Sequence, residues 1–62
     1  MVNIELIREK AKALGLNISQ LETKAGIANG TIGKWSKNKP YAETLQKVAG
    51  VLDCTVDELL AS

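Results

Sequence analysis

Four lysines in the middle of the chain are the side chains best suited to bind a charged partner. Residues 23–42 contain Lys24, Lys34, Lys37 and Lys39 and no acidic residue, so this stretch carries a charge of +4. The rest of the chain carries −3, although all 62 residues together carry only +1. Such polarity is typical of a surface that faces phosphates, and a solvated lysine-rich loop is the alternative explanation.

Catalytic and metal-binding chemistry have little support in this sequence. The chain has no His and one Cys, which excludes an internal disulfide and any site built from several His or Cys ligands. Cys54 lies among apolar residues in VLDCTV and is predicted to be a small buried core residue rather than a reactive thiol. GTIGKW fails as a phosphate-binding loop, because that loop needs glycine where Ala28 stands and Ser or Thr where Trp35 stands. We therefore expect no enzyme, no cofactor and no metal site.

The elements that position the lysines are predicted to be helices. Apolar residues from Ile4 to Leu14 recur on one stripe and predict a first helix over residues 4–14, with Asn3 as its N-cap and Gly15 as its left-handed terminator.

A second, shorter helix is predicted over residues 19–25. Asn17 and Ser19 are both able to cap its start, and Gly26 ends it.

The stretch GIANGTIGKW, residues 26–35, combines two local patterns. Asn29-Gly30 is a strong turn dipeptide, whereas Ile32 and Trp35 are spaced as on one helical face. Because no alternating strand flanks the turn, we predict a third helix over residues 28–36. Its two glycines each cost about 1 kcal/mol relative to alanine, which calls for an explanation.

The C-terminal third is predicted to hold two more helices. One begins just after Pro40 and runs to about residue 52, and Asp53 then adopts the turn conformation that often goes to glycine. Thr55 and Glu58 form a capping-box pattern that introduces a last short helix. That helix carries three apolar residues, Val56, Leu59 and Leu60.

Taken together, these patterns resemble the lambda-repressor-like, Cro/cI-type helix-turn-helix family of phage and bacterial regulators, also called the xenobiotic-response-element family. The resemblance covers nearly the whole chain. It implies an all-α, compact five-helix domain over residues 1–62, with the helix-turn-helix at the second and third helices. The matching motifs are ISQLE (18–22), GIANGTIGKW (26–35), Pro40, ETLQKVA (43–49) and VDELL (56–60).

If Gly26 is the turn glycine of that family, every position that locks its two helices together is apolar here. These positions are Leu21, Ala25, Ile27, Ile32 and Trp35. Two residues depart from the pattern: Glu22 stands where a small residue is common, and Ala28 stands where Ser or Thr usually caps the recognition helix. The weak cap and the two glycines suggest that the recognition helix is loosely held when free.

The resemblance implies sequence-specific binding to double-stranded DNA by a small transcriptional regulator, expected to be a repressor. The recognition helix, residues 28–36, would lie in the major groove with its N-terminal residues at the base edges. Gly30 and Gly33 would then allow the backbone to approach the DNA closely. The positions that this docking mode exposes are Ala28, Asn29, Gly30, Thr31, Gly33, Lys34 and Lys37, followed by Asn38 and Lys39.

Donor and acceptor geometry then assigns expected roles. Asn29 suits a bidentate contact to adenine, Thr31 a phosphate or a thymine methyl, and Lys34 the acceptors of guanine. Lys37 and Lys39 suit phosphates, with Asn38 beside them. Residues 23–42 contain no Arg, so we expect modest affinity for each subunit and a site rich in A·T pairs.

A protein-interaction module on the same fold, such as an antitoxin or an accessory subunit, is the alternative function. The near-neutral charge and the missing arginines favour it, whereas the acid-free stretch favours DNA. We also expect a weak homodimer through the C-terminal end, where Val56, Leu59 and Leu60 would share their burial between core and partner. Charged residues scattered through positions 1–14 exclude a signal-peptide core, so a cytoplasmic protein with no membrane association is expected. The resemblance implies a bacterial or phage origin.

Overall fold

The computed structural model describes residues 2–60 of the chain. In that range the chain forms four α-helices and one short 3-10 helix, and it contains no strand. These elements are α1 (Ile4–Ala13), α2 (Ile18–Ala25), the 3-10 helix (Ile32–Ser36), α3 (Ala42–Leu52) and α4 (Val56–Leu60). The predicted all-α fold is confirmed.

Side-chain caps determine where the first two helices begin. The Asn3 side-chain oxygen accepts a hydrogen bond from the Leu6 N–H at 3.0 Å, as the prediction of an N-cap requires. Asn17 caps α2 together with Gln20, since each side chain accepts from the other residue's backbone N–H, at 2.7 and 2.9 Å. Because Asn17 rather than Ser19 is the cap, α2 begins one residue earlier than predicted.

The junction between α3 and α4 follows the sequence prediction closely. Asp53 has φ 55° and ψ 46°, which is the left-handed conformation that ends α3. The Thr55 hydroxyl accepts from the Glu58 N–H at 3.2 Å and caps α4. The Glu58 carboxylate instead lies 3.5 Å from the Lys10 ammonium, in a surface ion pair that contributes little to stability.

All five helical elements contribute to one core. Each supplies at least one side chain that is at most 1% exposed, and the largest of these are Ile7, Leu21, Ile32, Val48 and Leu59. A backbone hydrogen bond of 2.9 Å from the Asn3 N–H to the Leu59 carbonyl also joins the start of the chain to α4. The 3-10 helix is therefore held by burial in the core as well as by its own short ladder of backbone bonds.

Cys54 differs in degree from the prediction of a buried core residue. Its side chain packs against the core but is half-buried. Burial raises the pKa of the thiol above its ordinary value, and the Lys10 charge opposes this only in part. The thiol is therefore a poor nucleophile at neutral pH.

Two further features concern only residues 2–60. None of their helices has the length and apolar content needed to cross a membrane. Nor do they bring together three or more His, Cys, Asp or Glu side chains in a group suited to a metal ion.

Candidate nucleic-acid interface

The segment between α2 and α3 contains both a turn and a helix, one after the other. The Thr31 N–H bonds to the Ala28 carbonyl at 3.2 Å around a turn that contains Gly30, and the 3-10 helix follows from Ile32. The single helix predicted over residues 28–36 is therefore wrong in extent and type. Gly30 has φ +93°, a left-handed conformation that no right-handed helix contains, so the helix begins only after it.

The inner side of this segment is fixed in the core as predicted. Ile32 is 1% exposed and Trp35 is 5% exposed. The two residues are one turn of the 3-10 helix apart, so their side chains lie on the same side of it. Trp35 is thus a core residue and its ring is not available for stacking with a base. These two side chains set the orientation of the whole outer surface.

The structure leaves nearly all of the predicted contact residues exposed, and four of them, Thr31, Lys34, Asn38 and Lys39, line one groove. All of the predicted contact residues are exposed except Thr31, which is half-buried, and the exposed ones are Ala28, Asn29, Gly30, Gly33, Lys34, Lys37, Asn38 and Lys39. The Thr31 hydroxyl donates to the Ala28 carbonyl at 2.6 Å, so its methyl group and its oxygen lone pairs remain for a partner. A role for these residues in binding remains a prediction.

The four lysines of residues 23–42 are all exposed, and the described chain places no acidic group within 4 Å of their ammonium groups. The groove that Lys34 and Lys39 line is shallow and lies between the 3-10 helix and the start of α3. Tyr41 lines the same groove and is 83% exposed. Sequence reasoning missed Tyr41, because a residue beside Pro40 was considered only as part of a link.

Sequence reasoning also missed the function of Glu22, which it treated as a departure from the family pattern. Glu22 is only 2% exposed, and its carboxylate accepts hydrogen bonds from two backbone N–H groups, one in the turn and one at the start of the 3-10 helix. The Gly30 N–H lies 3.0 and 3.1 Å from its two oxygens, and the Ile32 N–H lies 2.9 Å from one of them. Its helical spacing from Ile18 and Ala25, four residues back and three forward, is the pattern that predicts an inward side chain.

This carboxylate replaces the cap that the sequence appeared to lack. Thr31 occupies the N-cap position of the 3-10 helix without a side-chain cap hydrogen bond, and Glu22 instead accepts from the N–H of Ile32, the first residue of that helix, and from the N–H of Gly30 just before it. The expectation of a loosely held recognition helix was based on the weak cap and on the two glycines. Glu22 weakens only the first of these grounds, so the loosely held helix stays a prediction.

The two glycines of the segment differ in their structural role. Gly30 is required by its positive φ, which explains that residue without reference to a ligand. At Gly33 the φ is ordinary, and a Cβ would meet no described atom within 4 Å. Nothing inside the described protein therefore requires glycine at position 33.

The family comparison agrees with this geometry. A family model described as the Cro/C1-type HTH DNA-binding domain matches residues 7–61. Comparison with curated proteins and with solved structures gave no match.

Proposed function

Because this chain belongs to the family of Cro/C1-type helix-turn-helix DNA-binding domains, we propose that it is a small transcriptional repressor that binds a specific sequence of double-stranded DNA. Family membership supports the DNA-binding activity itself. The specific sequence and the repressor role are the proposed additions. The observation that supports specific reading is that exposed polar and basic side chains lie on a segment whose inner side chains, Ile32 and Trp35, are fixed in the core. The repressor role is proposed from the family resemblance.

In this proposal the turn and the 3-10 helix enter the major groove with the turn leading. Asn29 stands exposed in that turn, and its amide group suits the paired donor and acceptor of adenine. Lys34 lies five residues further on, in the 3-10 helix, and suits the acceptors of guanine. Thr31 lies between them and offers its methyl group to thymine.

Phosphate contacts would surround this base-reading segment. Lys37, Asn38 and Lys39 follow the 3-10 helix, and all three are exposed. Tyr41 adds a hydroxyl donor at the groove that Lys39 lines. About three or four phosphate contacts give a single domain weak, strongly salt-dependent affinity, so specific recognition requires more than one domain on the site.

We propose a weak dimer through the C-terminal end to meet that requirement. Leu60 in α4 is 40% exposed, whereas Leu59 is fully buried and is not available to a partner. A two-fold dimer would place two recognition segments about 34 Å apart on a palindromic site. Sedimentation should show dimers on DNA of operator length and mostly monomers without it. A monomer under both conditions would contradict the dimer.

A residue-resolved NMR titration with a mixed-sequence duplex tests DNA binding at this surface. At low salt, shifts should concentrate in residues 28–41 and fade as the salt concentration rises to the physiological range, because phosphate contacts dominate non-specific binding. No shift at low salt would favour the alternative, a protein-interaction module. The near-neutral charge of +1 is the observation that supports that alternative.

Two substitutions separate base reading from phosphate binding. Asn29→Ala should cost about 1 to 3 kcal/mol on the preferred site and relax its specificity, while Lys37→Ala should weaken binding to all sequences and reduce the salt slope by about one unit. Affinities measured on preferred and unrelated duplexes over a range of salt concentrations check both values. Equal losses on every sequence for both variants would contradict a base-reading role for Asn29.

A further inference from the structure

Taking the proposed DNA binding as its basis, we propose that Glu22 is a positioning residue that determines sequence specificity without reaching the DNA. Its carboxylate holds the backbone on both sides of Thr31, and this in turn fixes the direction in which the Asn29 side chain points. The residue lies in α2, outside the predicted contact surface, and is buried.

The geometry supports a clamp rather than a simple helix cap. The Gly30 N–H is shared between both carboxylate oxygens at 3.0 and 3.1 Å, and the Ile32 N–H points at one of them from 2.9 Å. Two N–H groups that are two residues apart converge on one carboxylate only when the backbone between them is sharply turned. The positive φ of Gly30 supplies that turn.

Because the Glu22 carboxylate is buried, its hydrogen bonds to the two N–H groups are needed to keep it there. Glu22 is the one charged side chain in the buried core of residues 2–60, and no Lys or Arg lies within 4 Å of it there. A buried carboxylate without a cation is costly unless N–H groups satisfy its oxygens. The carboxylate and the two N–H groups therefore need one another, and movement of the 29–32 backbone would leave all of them unsatisfied.

The negative charge has a second consequence, because the backbone segment that it bonds, Gly30 to Ile32, leads directly to the exposed Lys34. A fixed negative charge there weakens the general attraction for phosphates while the clamp improves the fit to one sequence. Removing the charge should therefore lower specific binding without lowering non-specific binding. A residue that only stabilised the fold would not have this effect.

Glu22→Gln is the most direct test, since it keeps the shape of the side chain and removes its charge. The amide oxygen still accepts from one N–H, but the amide nitrogen faces the Gly30 N–H donor to donor. The matched control is Glu43→Gln, which removes the same charge from an exposed position at the other end of the acid-free stretch. Both variants are studied at a temperature where circular dichroism shows them folded.

The probes are a duplex that the wild-type domain selects from a randomised library and an unrelated duplex of equal length. Glu22→Gln should lower the ratio of specific to non-specific affinity by about tenfold, the scale of one lost base contact. Its non-specific affinity should stay equal to that of the wild type or rise. Glu43→Gln should leave the ratio unchanged. A wild-type ratio in Glu22→Gln, or equal losses on both duplexes, would overturn the proposal.

Amide exchange in the wild-type protein tests the clamp without DNA and without a variant. The Gly30 and Ile32 N–H groups should exchange at least about tenfold more slowly than the N–H of Asn29, for which the described chain provides no acceptor. Equal exchange of all three would overturn the proposal. If exchange is slow but the wild-type domain selects no sequence, the proposed function fails, and the clamp has only a structural role.

Discussion

The junction after α2 and the junction after α3 each lead into a short helical segment, but the first N–H groups of the two segments are capped in different ways. Each begins with a residue in the left-handed conformation, Gly26 at φ 75° and Asp53 at φ 55°. Each then leads into a short helical segment with free N–H groups. After α3 the cap comes from Thr55 inside the junction, whereas after α2 it comes from Glu22, which lies before the junction begins.

The difference shows how a turn is made available for binding. A local cap uses the side chain of the turn itself, as Thr55 does at α4. At the junction after α2 the cap comes from the Glu22 carboxylate, so the Asn29 side chain need not accept from the backbone, although the Thr31 hydroxyl donates to the Ala28 carbonyl. Asn29 is a strong capping residue, yet within residues 2–60 its side chain takes part in no hydrogen bond. The distant carboxylate therefore leaves that amide free for a partner.

The largest expected effect comes from removing the two caps. Glu22→Ala should lower the free energy of unfolding by about 2 to 3 kcal/mol, because the buried Ile32 N–H loses its acceptor. Thr55→Ala should cost about 1 kcal/mol, the usual value for an exposed N-cap. Urea denaturation of both variants measures the difference. Equal losses would mean that the distant cap is no stronger than the local one.

A smaller effect is expected at the two left-handed residues. Gly26→Ala should destabilise the domain by about 1 to 2 kcal/mol, since a Cβ is disfavoured at its φ of +75°. Asp53→Gly is the control at the corresponding position of the other junction. It should change stability by no more than about 0.5 kcal/mol, because relief of strain offsets the greater backbone freedom of glycine in the unfolded chain. Urea midpoints of the two variants check this, and a stable Gly26→Ala protein would contradict it.

The same comparison explains how much of the fold could be predicted from sequence. The start of α1 at Asn3, the end of α2 at Gly26 and the junction at Asp53 and Thr55 depend on side chains within a few residues, so local patterns predicted them. The third helical element depends on Glu22, which is eight residues before Gly30 and ten before Ile32. A window that treats residues 28–36 as an independent helix cannot include that contact.

The candidate site was predictable to a similar extent. The apolar spacing of Ile32 and Trp35 correctly placed the inner side of the segment and therefore also its outer side. The dipeptide Asn29-Gly30 does lie in a turn, but the prediction set that signal aside and extended the helical spacing back to residue 28. The turn pattern and the helical spacing apply to successive parts of one short stretch. Only the positive φ of Gly30 shows where the turn ends and the helix can begin.

The smallest expected effect on stability concerns the two glycines of the described chain that have no positive φ. Gly33 lies in the 3-10 helix and Gly50 in α3, both are exposed, and a Cβ at either would meet no described atom within 4 Å. Alanine at either position should therefore stabilise the domain by about 0.5 to 1 kcal/mol, the usual difference between glycine and alanine in a helix.

DNA affinity should separate these two variants. Gly33→Ala places a methyl group between the 3-10 helix and the proposed groove, so it should weaken binding by about 1 kcal/mol, the low end of the cost of adding a methyl group to a close-packed contact. Gly50→Ala should bind as the wild type does. Titration of one duplex with both variants measures this. If Gly33→Ala gains stability and loses no affinity, the backbone does not approach the DNA closely there, and the bare surface of the 3-10 helix requires another partner.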